Sequence, residues 1–422
     1  MSELIVHKFG GSCLRDKADI DRIGQLVSSF TAKPVIVVSA LWGVTDRLMR
    51  AANDPHYAGR LVEDLRRQHL RFSPGIEESI HYEKFNKILK MISSDLVTLS
   101  TEPSTPAARN RILAAGERLS ALVVAHRLQH FGLDTHPIGA EDIGLRLKGR
   151  NALKMVDLEN SKLTLNRDNI EGIPILTGWF GEGDDGEIAI LTRGGSDHSA
   201  SAFANLLKAN RVILWKDVDG ILALNPRWGI ASPTIDYLGY GEAMELSIHG
   251  ASILHPFTVE PLIENGIPME IRNVSHKIGR EATTMIGPDI ISSPSEIKAI
   301  GCKTGIAIIT TPKPLQNEFF QIIEEEGITV WSLNSTPSGS RVIISTHDLE
   351  TIEPELEEAK IEYRTAIISM VGNGIDTTIL KLLNLEIEVI SESEHGLRLI
   401  LETDDLIGSL ATLAGGSGLI SQ

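Results

Sequence analysis

Cysteine is nearly absent: Cys13 and Cys302 are the only two in 422 residues. That excludes a disulfide framework and a cysteine metal cluster, and it fits a reducing compartment. Basic residues are also short. Forty Lys and Arg against 56 Asp and Glu leave a net charge of −16, which argues against nucleic acid or an anionic membrane as the main partner. A local basic pocket stays open. No apolar run approaches the roughly 18 residues that span a bilayer. The first strand-like segment, Leu4-Ile-Val-His-Lys-Phe9, follows without the basic and apolar regions of a secretory signal, so the expected location is cytoplasmic. What is present is ordinary for a globular chain with a sizeable core: 42% hydrophobic and 23% charged residues. The length suggests about two to four domains.

The stretch Leu191-Thr-Arg-Gly-Gly-Ser-Asp-His-Ser-Ala200 organises the reading. Glu187–Leu191 before it reads as a strand and Ala200–Lys208 after it as a helix. Strand, glycine turn and helix build an anion site: glycine permits positive φ and close backbone approach, and a helix N-terminus offers unpaired N–H groups. Arg193 adds a planar cation suited to carboxylate or phosphate, and Asp197 falls in the first helical turn. The same stretch also reads as a plainly capped helix.

Taken in order, Leu4–Phe9, Gly10-Gly11-Ser12 and a helix from about Lys17 to Phe30 repeat that logic, with Lys8 at the strand end within reach of a phosphate. Pro34–Ala40 is an apolar run expected of a parallel strand buried on both faces. Ser39, Trp42 and Thr45 follow at its carboxyl end, where open α/β sheets bind ligands; Ser39 and Thr45 read equally as helix caps. Residues 60–100 look helical, Glu102–Ala107 breaks the helix, and Arg109–Phe131 reads as a long amphipathic helix. Glu117 on it is either a solvent-facing carboxylate or a binding group. Thr135–Gly139, Ile173–Thr177, Arg211–Gly220 and Pro268–Asn273 read as strands; Tyr240–His249 and Ala251–Asn265 read as helices. The alternation through residues 4–285 predicts one α/β domain, a three-layer sandwich with a mainly parallel sheet.

The motifs resemble those of the aspartate kinases, within the amino-acid kinase family. They are Lys8-Phe-Gly-Gly-Ser-Cys13, Val37-Val-Ser-Ala40 with Gly43-Val-Thr45, Gly116-Glu-Arg-Leu-Ser120, Arg193-Gly-Gly-Ser-Asp197, Trp215-Lys-Asp-Val-Asp-Gly220 with Asn225-Pro-Arg227, and Gly241-Glu-Ala-Met-Glu-Leu246 with Leu254-His-Pro256. The resemblance implies phosphorylation of the β-carboxylate of L-aspartate by ATP and Mg²⁺, opening the route to lysine, threonine and methionine. It implies that Lys8 neutralises the transferring phosphoryl group, that Asp197 orients Lys8, and that Arg193 clamps the α-carboxylate. Gly10, Gly11 and Ser12 would cradle phosphates. Glu117 would take the α-ammonium, with Ser39, Thr45, Trp179, Gly194 and Ser196 completing the acceptor pocket. Lys216, Asp217, Asp219, Gly220, Arg227 and Ser252 would lie on the nucleotide side. Magnesium would be held by phosphates and water, with no protein ligand named. Trp42, Trp179, Lys216 and Ser252 depart from the family pattern. Trp42, Trp179 and Ser252 suggest a paralogous kinase with another carboxylate acceptor; a non-catalytic amino-acid sensor, which would keep the C-terminal modules and lose phosphate chemistry, is a further reading.

Ile286–Ser295 reads as a Pro/Ser/Gly linker, giving expected domains at 1–287 and 296–422. Beyond it two segments resemble each other. Gly327–Asn334 leads to Ser340–Ser345, and Leu385–Ser391 leads to Gly396–Leu401; the strands Thr304–Thr310 and Thr365–Val371 precede them. This is a βαββαβ-like repeat, about 296–362 and 363–422, with a tail at Ala414–Gly418 that reads as non-helical. It resembles the paired ferredoxin-like ACT modules of aspartate kinases, which implies a homodimer and feedback control by an amino-acid effector. Asn334, Ser335 and Ser338 are candidates for a ligand loop; assembly alone is the other reading.

Overall fold

The structure, a computed structural model, describes every residue except 1–2, 150–153, 193, 250–253, 276–282, 291–295, 353–355, 357, 376, 386 and 421–422. The chain divides into two compact units. The first holds residues 1–148, 154–220 and 257–285; the second holds 149–153, 221–256 and 286–422.

The first unit opens with β1 (Leu4–Phe9), α1 (Lys17–Ser28), β2 (Lys33–Val38) and α2 (Val44–Asn53). Three helices follow: α3 (Leu61–Phe72), α4 (Tyr82–Thr101) and α5 (Pro106–Gln129). Next come β3 (Thr135–Ile138), the hairpin β4 (Leu147–Lys148) and β5 (Met155–Val156), α6 (Leu158–Thr164) and β6 (Ile173–Thr177). The hairpin β7 (Phe180–Glu182) and β8 (Ile188–Ile190) leads to α7 (Gly195–Leu207) and β9 (Arg211–Lys216). The chain then enters the second unit with β10 (Tyr237–Gly239) and α8 (Tyr240–His249), and returns with α9 (Glu260–Ile263), β11 (Met269–Asn273) and the start of β12 (Thr284–Gly287).

The sheet of the first unit runs β11-β9-β1-β2-β6-β3, parallel throughout. Its strands are apolar on both faces because both are covered. Ile5 and Phe9 of β1 point into a core with Ile36, Val38, Ile213 and Trp215, and that core continues into α1–α5. Lys8, out of phase with them, points to the face that α7 covers. β1 lies between β2 and β9 in register, with Lys8 opposite Val37 and Leu214. The carboxyl ends of three central strands therefore reach the same edge.

Several expectations need correction. α5 is not amphipathic: Ile112, Leu113, Ala114, Ala115, Glu117 and Leu119 are all buried, on every side of the helix. It lies between the sheet and the other helices, and chiefly its arginines, such as Arg111 and Arg118, reach partway to water. α7 begins at Gly195 and not at Ala200, because Gly194 at φ 80° is its N-cap. The expected helix Ala251–Asn265 is, over its described part, a 3-10 turn at Pro256–Thr258 and the short α9; Pro256 and Pro261 interrupt a longer one. The expected linker begins as strand, since β12 runs through Gly287.

The second unit contains β13 (Glu296–Thr311), α10 (Asn317–Glu326), β14 (Ser332–Thr336), β15 (Gly339–Ser345), α11 (Leu349–Ile352), β16 (Lys360–Asn373), β17 (Ile387–Ser393), β18 (Gly396–Leu401) and α12 (Leu406–Gly416). The six strands form one antiparallel sheet in the order β14-β15-β13-β16-β18-β17. The repeat is visible in that order: two three-stranded halves meet along β13 and β16. Ala307, Ile309, Phe319, Val342, Ile344 and Ile352 form the core under α10 and α11. Two details differ from expectation. The first helix of the second repeat is a 3-10 segment, Thr377–Leu383, and the tail is helical to Gly416. Asp405 caps α12 by accepting from Gly408 N–H, which offsets the glycines at its end.

Candidate active site

The turn after β1 carries the first part of the site. Gly10 has extended backbone and precedes the 3-10 turn Gly11–Cys13, closed by Cys13 N–H donating to Gly10 C=O at 2.9 Å. A Cβ on Gly10 would stand 3.1 Å from Lys8 Nζ, and one on Gly11 3.2 Å from Ala40 C=O. The glycines thus allow the Lys8 ammonium to fold over the turn. Ser12 is half-buried beside them.

α7 supplies the second part. Asp197 sits in its first turn, 4% exposed. Its Oδ1 lies 2.5 Å from Lys8 Nζ and its Oδ2 2.6 Å from Lys216 Nζ. Burial would raise the Asp197 pKa, but Lys216 and Lys8 overcome it and hold the carboxyl at about 2. Burial lowers the Lys8 pKa; Asp197 opposes this and Lys216 adds to it. Two ammonium groups lie on one carboxylate in a largely desolvated place. Ammonium groups paired in this way suit an anion. Asp197, ionised throughout the neutral range, is too weak a base to take a proton.

Glu117 supplies the third. It is 2% exposed on α5, and its Oε1 accepts from Ala40 N–H at 3.1 Å. Burial raises its pKa to about 8, opposed by the Ala40 N–H and by Lys8. Its Oε2 is buried without a hydrogen-bond partner. A buried carboxyl with a vacant oxygen is a receptor for a cation, whose charge would hold it ionised. Gly116 explains its reach: a Cβ there would meet Ala40 Cβ at 2.9 Å and Leu48 Cδ1 at 3.1 Å, so α5 approaches the end of β2 only with glycine at that position.

Around these groups, Ser39 is half-buried, with its N–H donating to Phe9 C=O at 3.2 Å, and Thr45 is half-buried in the first turn of α2 behind Gly43 at φ 73°. Ser196 is buried at the start of α7. Trp179 adopts φ 72°, rare for a side chain this large. Its N–H donates to Ser199 Oγ at 3.0 Å and its C=O accepts from Leu191 N–H at 2.8 Å. A Cβ on Gly195 would lie 2.8 Å from its ring, so this indole packs on the start of α7. Trp42 is 56% exposed, with the Arg15 guanidinium 4.9 Å above its ring.

Asp217 pairs with Arg15 at 2.6 Å near the surface, and Asp219 accepts from Asn273 Nδ2 at 2.6 Å. Gly220 has φ 102°. Arg227 belongs to the second unit, on a 3-10 turn capped by Asn225. Arg193 and Ser252 lie outside the described residues. Among the described residues no group of His, Cys, Asp and Glu could hold a metal ion.

Sequence reasoning missed the bond between Lys216 and Asp197, the Ala40 N–H on Glu117, and Arg15 between Trp42 and Asp217. The first depends on strand register. β9 neighbours β1 with Trp215 opposite Phe9, so the residue after Trp215 must emerge beside Gly10.

Residues 3–273 match the amino acid kinase family. Relatives include aspartokinase 3 of Bacillus subtilis, 27% identical over 88% of this chain and 86% of that protein. The lysine-sensitive aspartokinase 3 of Escherichia coli is 25% identical over 96% of this chain and 97% of its own length. Among solved structures, E. coli aspartokinase III in complex with aspartate and ADP superposes with a TM-score of 0.79 at 23% identity, covering 98% of this chain and 99% of that one. The same enzyme with lysine and aspartate gives 0.75 at 22% identity over 100% of both chains. The antiparallel sheet of the second unit fits a pair of ACT-like modules. With a parallel sheet that ends in a glycine turn, a buried Lys-Asp-Lys cluster at its edge and a family match over most of its length, the chain belongs to the amino acid kinase family.

Proposed function

We propose that this chain transfers the γ-phosphoryl group of ATP to the β-carboxylate of L-aspartate, giving 4-phospho-L-aspartate and ADP. The observation that carries the reading is the Lys8-Asp197-Lys216 cluster over Gly10, two ammonium groups on one buried carboxylate where phosphate would lie. A carboxylate oxygen attacks phosphorus and the bond to the ADP oxygen breaks. The attacking carboxylate, with an unperturbed pKa of about 3.9, is already ionised near neutrality, so no general base is needed. An Asp197 held at about 2 agrees with a positioning role. Lys8 and Lys216 stabilise charge developing on the transferring group, which is the main task in phosphoryl transfer. Glu117 Oε2 receives the α-ammonium, and Arg193 takes the α-carboxylate. Mg²⁺, held by the phosphates and water, neutralises phosphate charge when bound.

Residues 1–287 serve as the catalytic domain and 296–422 as paired regulatory modules binding an amino-acid effector. Support for assembly into a homodimer comes from the two edge strands of the second unit, where Leu333 of β14 and Val389 of β17 are exposed.

The test is ATP turnover with aspartate and a panel of other acids, with acyl phosphate trapped by hydroxylamine. Hydroxamate from aspartate, lost by a factor of roughly 10² to 10³ in Lys8→Ala, is the expected result. Turnover only with another acceptor would replace aspartate and point to Trp179 beside Gly195. ATP or amino-acid binding without turnover would leave a sensor.

A further inference from the structure

A cavity of about 410 Å³ lies between α4, α5 and the end of β3, and none of the candidate active-site residues lines it. One wall is apolar, built by Ile88 and Met91 of α4, Ala121 and Leu122 of α5, and Pro137 and Ile138 of β3. The rest is charged with both signs. Lys84 and Lys87 stand one turn apart on α4, their side chains 54% and 72% exposed, with Lys87 Nζ 2.7 Å from the exposed Glu83 Oε1, a solvent-screened partner that a ligand carboxylate would have to displace or share. Beside Lys84, Glu141 and Asp142 fold back over Gly139. A Cβ on Gly139 would lie 2.6 Å from Glu141 Oε2 and 2.9 Å from Asp142 Oδ2, so two carboxylate oxygens converge on one point. Arg118 pairs with Glu141, and Lys84 stands 3.9 Å from Asp142. Even so, Glu141 Oε2 is buried with no hydrogen-bond partner, a state that costs free energy until a donor arrives.

We propose that this cavity binds a free amino acid with an apolar side chain. Its ammonium meets the Glu141 and Asp142 carboxylates, its carboxylate meets Lys84 and Lys87, and its side chain lies along Ile88, Met91 and Leu122. The volume is in the range of small-molecule sites. A charged side chain would be desolvated against the apolar wall, and a nucleotide would set its phosphates near two carboxylates. The inference stands whether or not the chain acts on aspartate.

The experiment is calorimetric titration of the full chain with L-leucine, L-methionine and L-phenylalanine, with ATP and aspartate absent. The expected result is saturable binding of at least one of the three at millimolar concentration or below. That binding weakens roughly tenfold or more in Glu141→Gln and in Lys87→Ala, as one lost charge-assisted contact requires. It disappears in Met91→Trp, which fills the apolar wall. Lys87 is mostly exposed, so its variant decides the matter even if Met91→Trp fails to fold. No heat with any of the three overturns the proposal. Binding left unchanged by both Glu141→Gln and Lys87→Ala also overturns it, since the amino acid is then held elsewhere.

Discussion

At the scale of single residues, charge and burial set the behaviour of the site. Asp197 divides its two oxygens between Lys8 and Lys216. Replacing it as Asp197→Asn leaves two like charges in contact and removes the main group that raises the Lys8 pKa. Lys8 then loses its proton at lower pH. The expected outcome is a fall in kcat of about 10² or more, with the alkaline limb of the pH–rate profile moved to lower pH. An unmoved limb would take Lys8 out of the charged machinery. Glu117 makes the opposite case. Its pKa, raised from the ordinary 4.5 to about 8, means that its stabilising contribution is full below about 4.5 and is lost as pH rises through about 8. Glu117→Gln is therefore expected to gain stability over the parent by something on the order of 1–3 kcal/mol between about pH 5 and about pH 9. The readout is the urea midpoint at each pH. The same variant is expected to raise KM for aspartate roughly ten- to a hundredfold, the loss of a charged hydrogen bond.

Among the elements, α5 matters most. A helix buried this deeply can carry a carboxylate only where another group satisfies it, and Ala40 N–H does so for one oxygen of Glu117. Gly116 brings that pair together, since any side chain would strike Ala40 and Leu48. Gly116→Leu is expected to cost about 1–3 kcal/mol by overpacking and to raise KM for aspartate more than it lowers kcat. Denaturant unfolding and steady-state kinetics check the two halves separately. A normal KM would mean that the end of β2 moves independently of Glu117. α7 makes a similar demand at Gly194, whose φ of 80° starts the helix early enough to put Asp197 in its first turn.

On the scale of the whole molecule, the second unit is built from segments far apart in the chain. Glu245 of α8 accepts from Arg398 Nε and Nη2 of β18, both at 2.6 Å, and from Ser369 Oγ of β16 at 3.0 Å. Lys298 of β13 pairs with Glu242 of the same helix at 2.7 Å. These bonds fix α8 on the antiparallel sheet, and the loss of one partner leaves a mostly buried carboxylate. Arg398→Ala is expected to destabilise the chain by about 1–3 kcal/mol, less than for a fully buried pair because the Arg398 side chain is 21% exposed. Arg398→Lys, one cation without the fork, should recover part of that. An unchanged urea midpoint in Arg398→Ala would mean that apolar contacts alone hold α8.

Local chemistry made much of this legible. The bounds of β1 at Leu4–Phe9, of β6 at Ile173–Thr177, of α8 at Tyr240–His249 and of β18 at Gly396–Leu401 agree with the reading from hydrophobic pattern and turn residues. Those signals act over a few residues and need no distant partner. Strand-glycine-helix turns likewise singled out the turns that carry Lys8 and Asp197, which the fold brings into contact. What pattern alone left undecided depended on packing. The period of α5 suggested a wet face, and only the helices stacked on it removed the water that would have kept Glu117 near an ordinary pKa. The register of β9 on β1, a contact across about 200 residues of chain, brought Lys216 to Asp197. The sequence by itself determined which segments become strands and helices and which turns can accept an anion, because those choices are made by neighbouring residues. Tertiary structure decided which charges meet and which lose their water, because burial and pairing belong to residues that only the fold brings together.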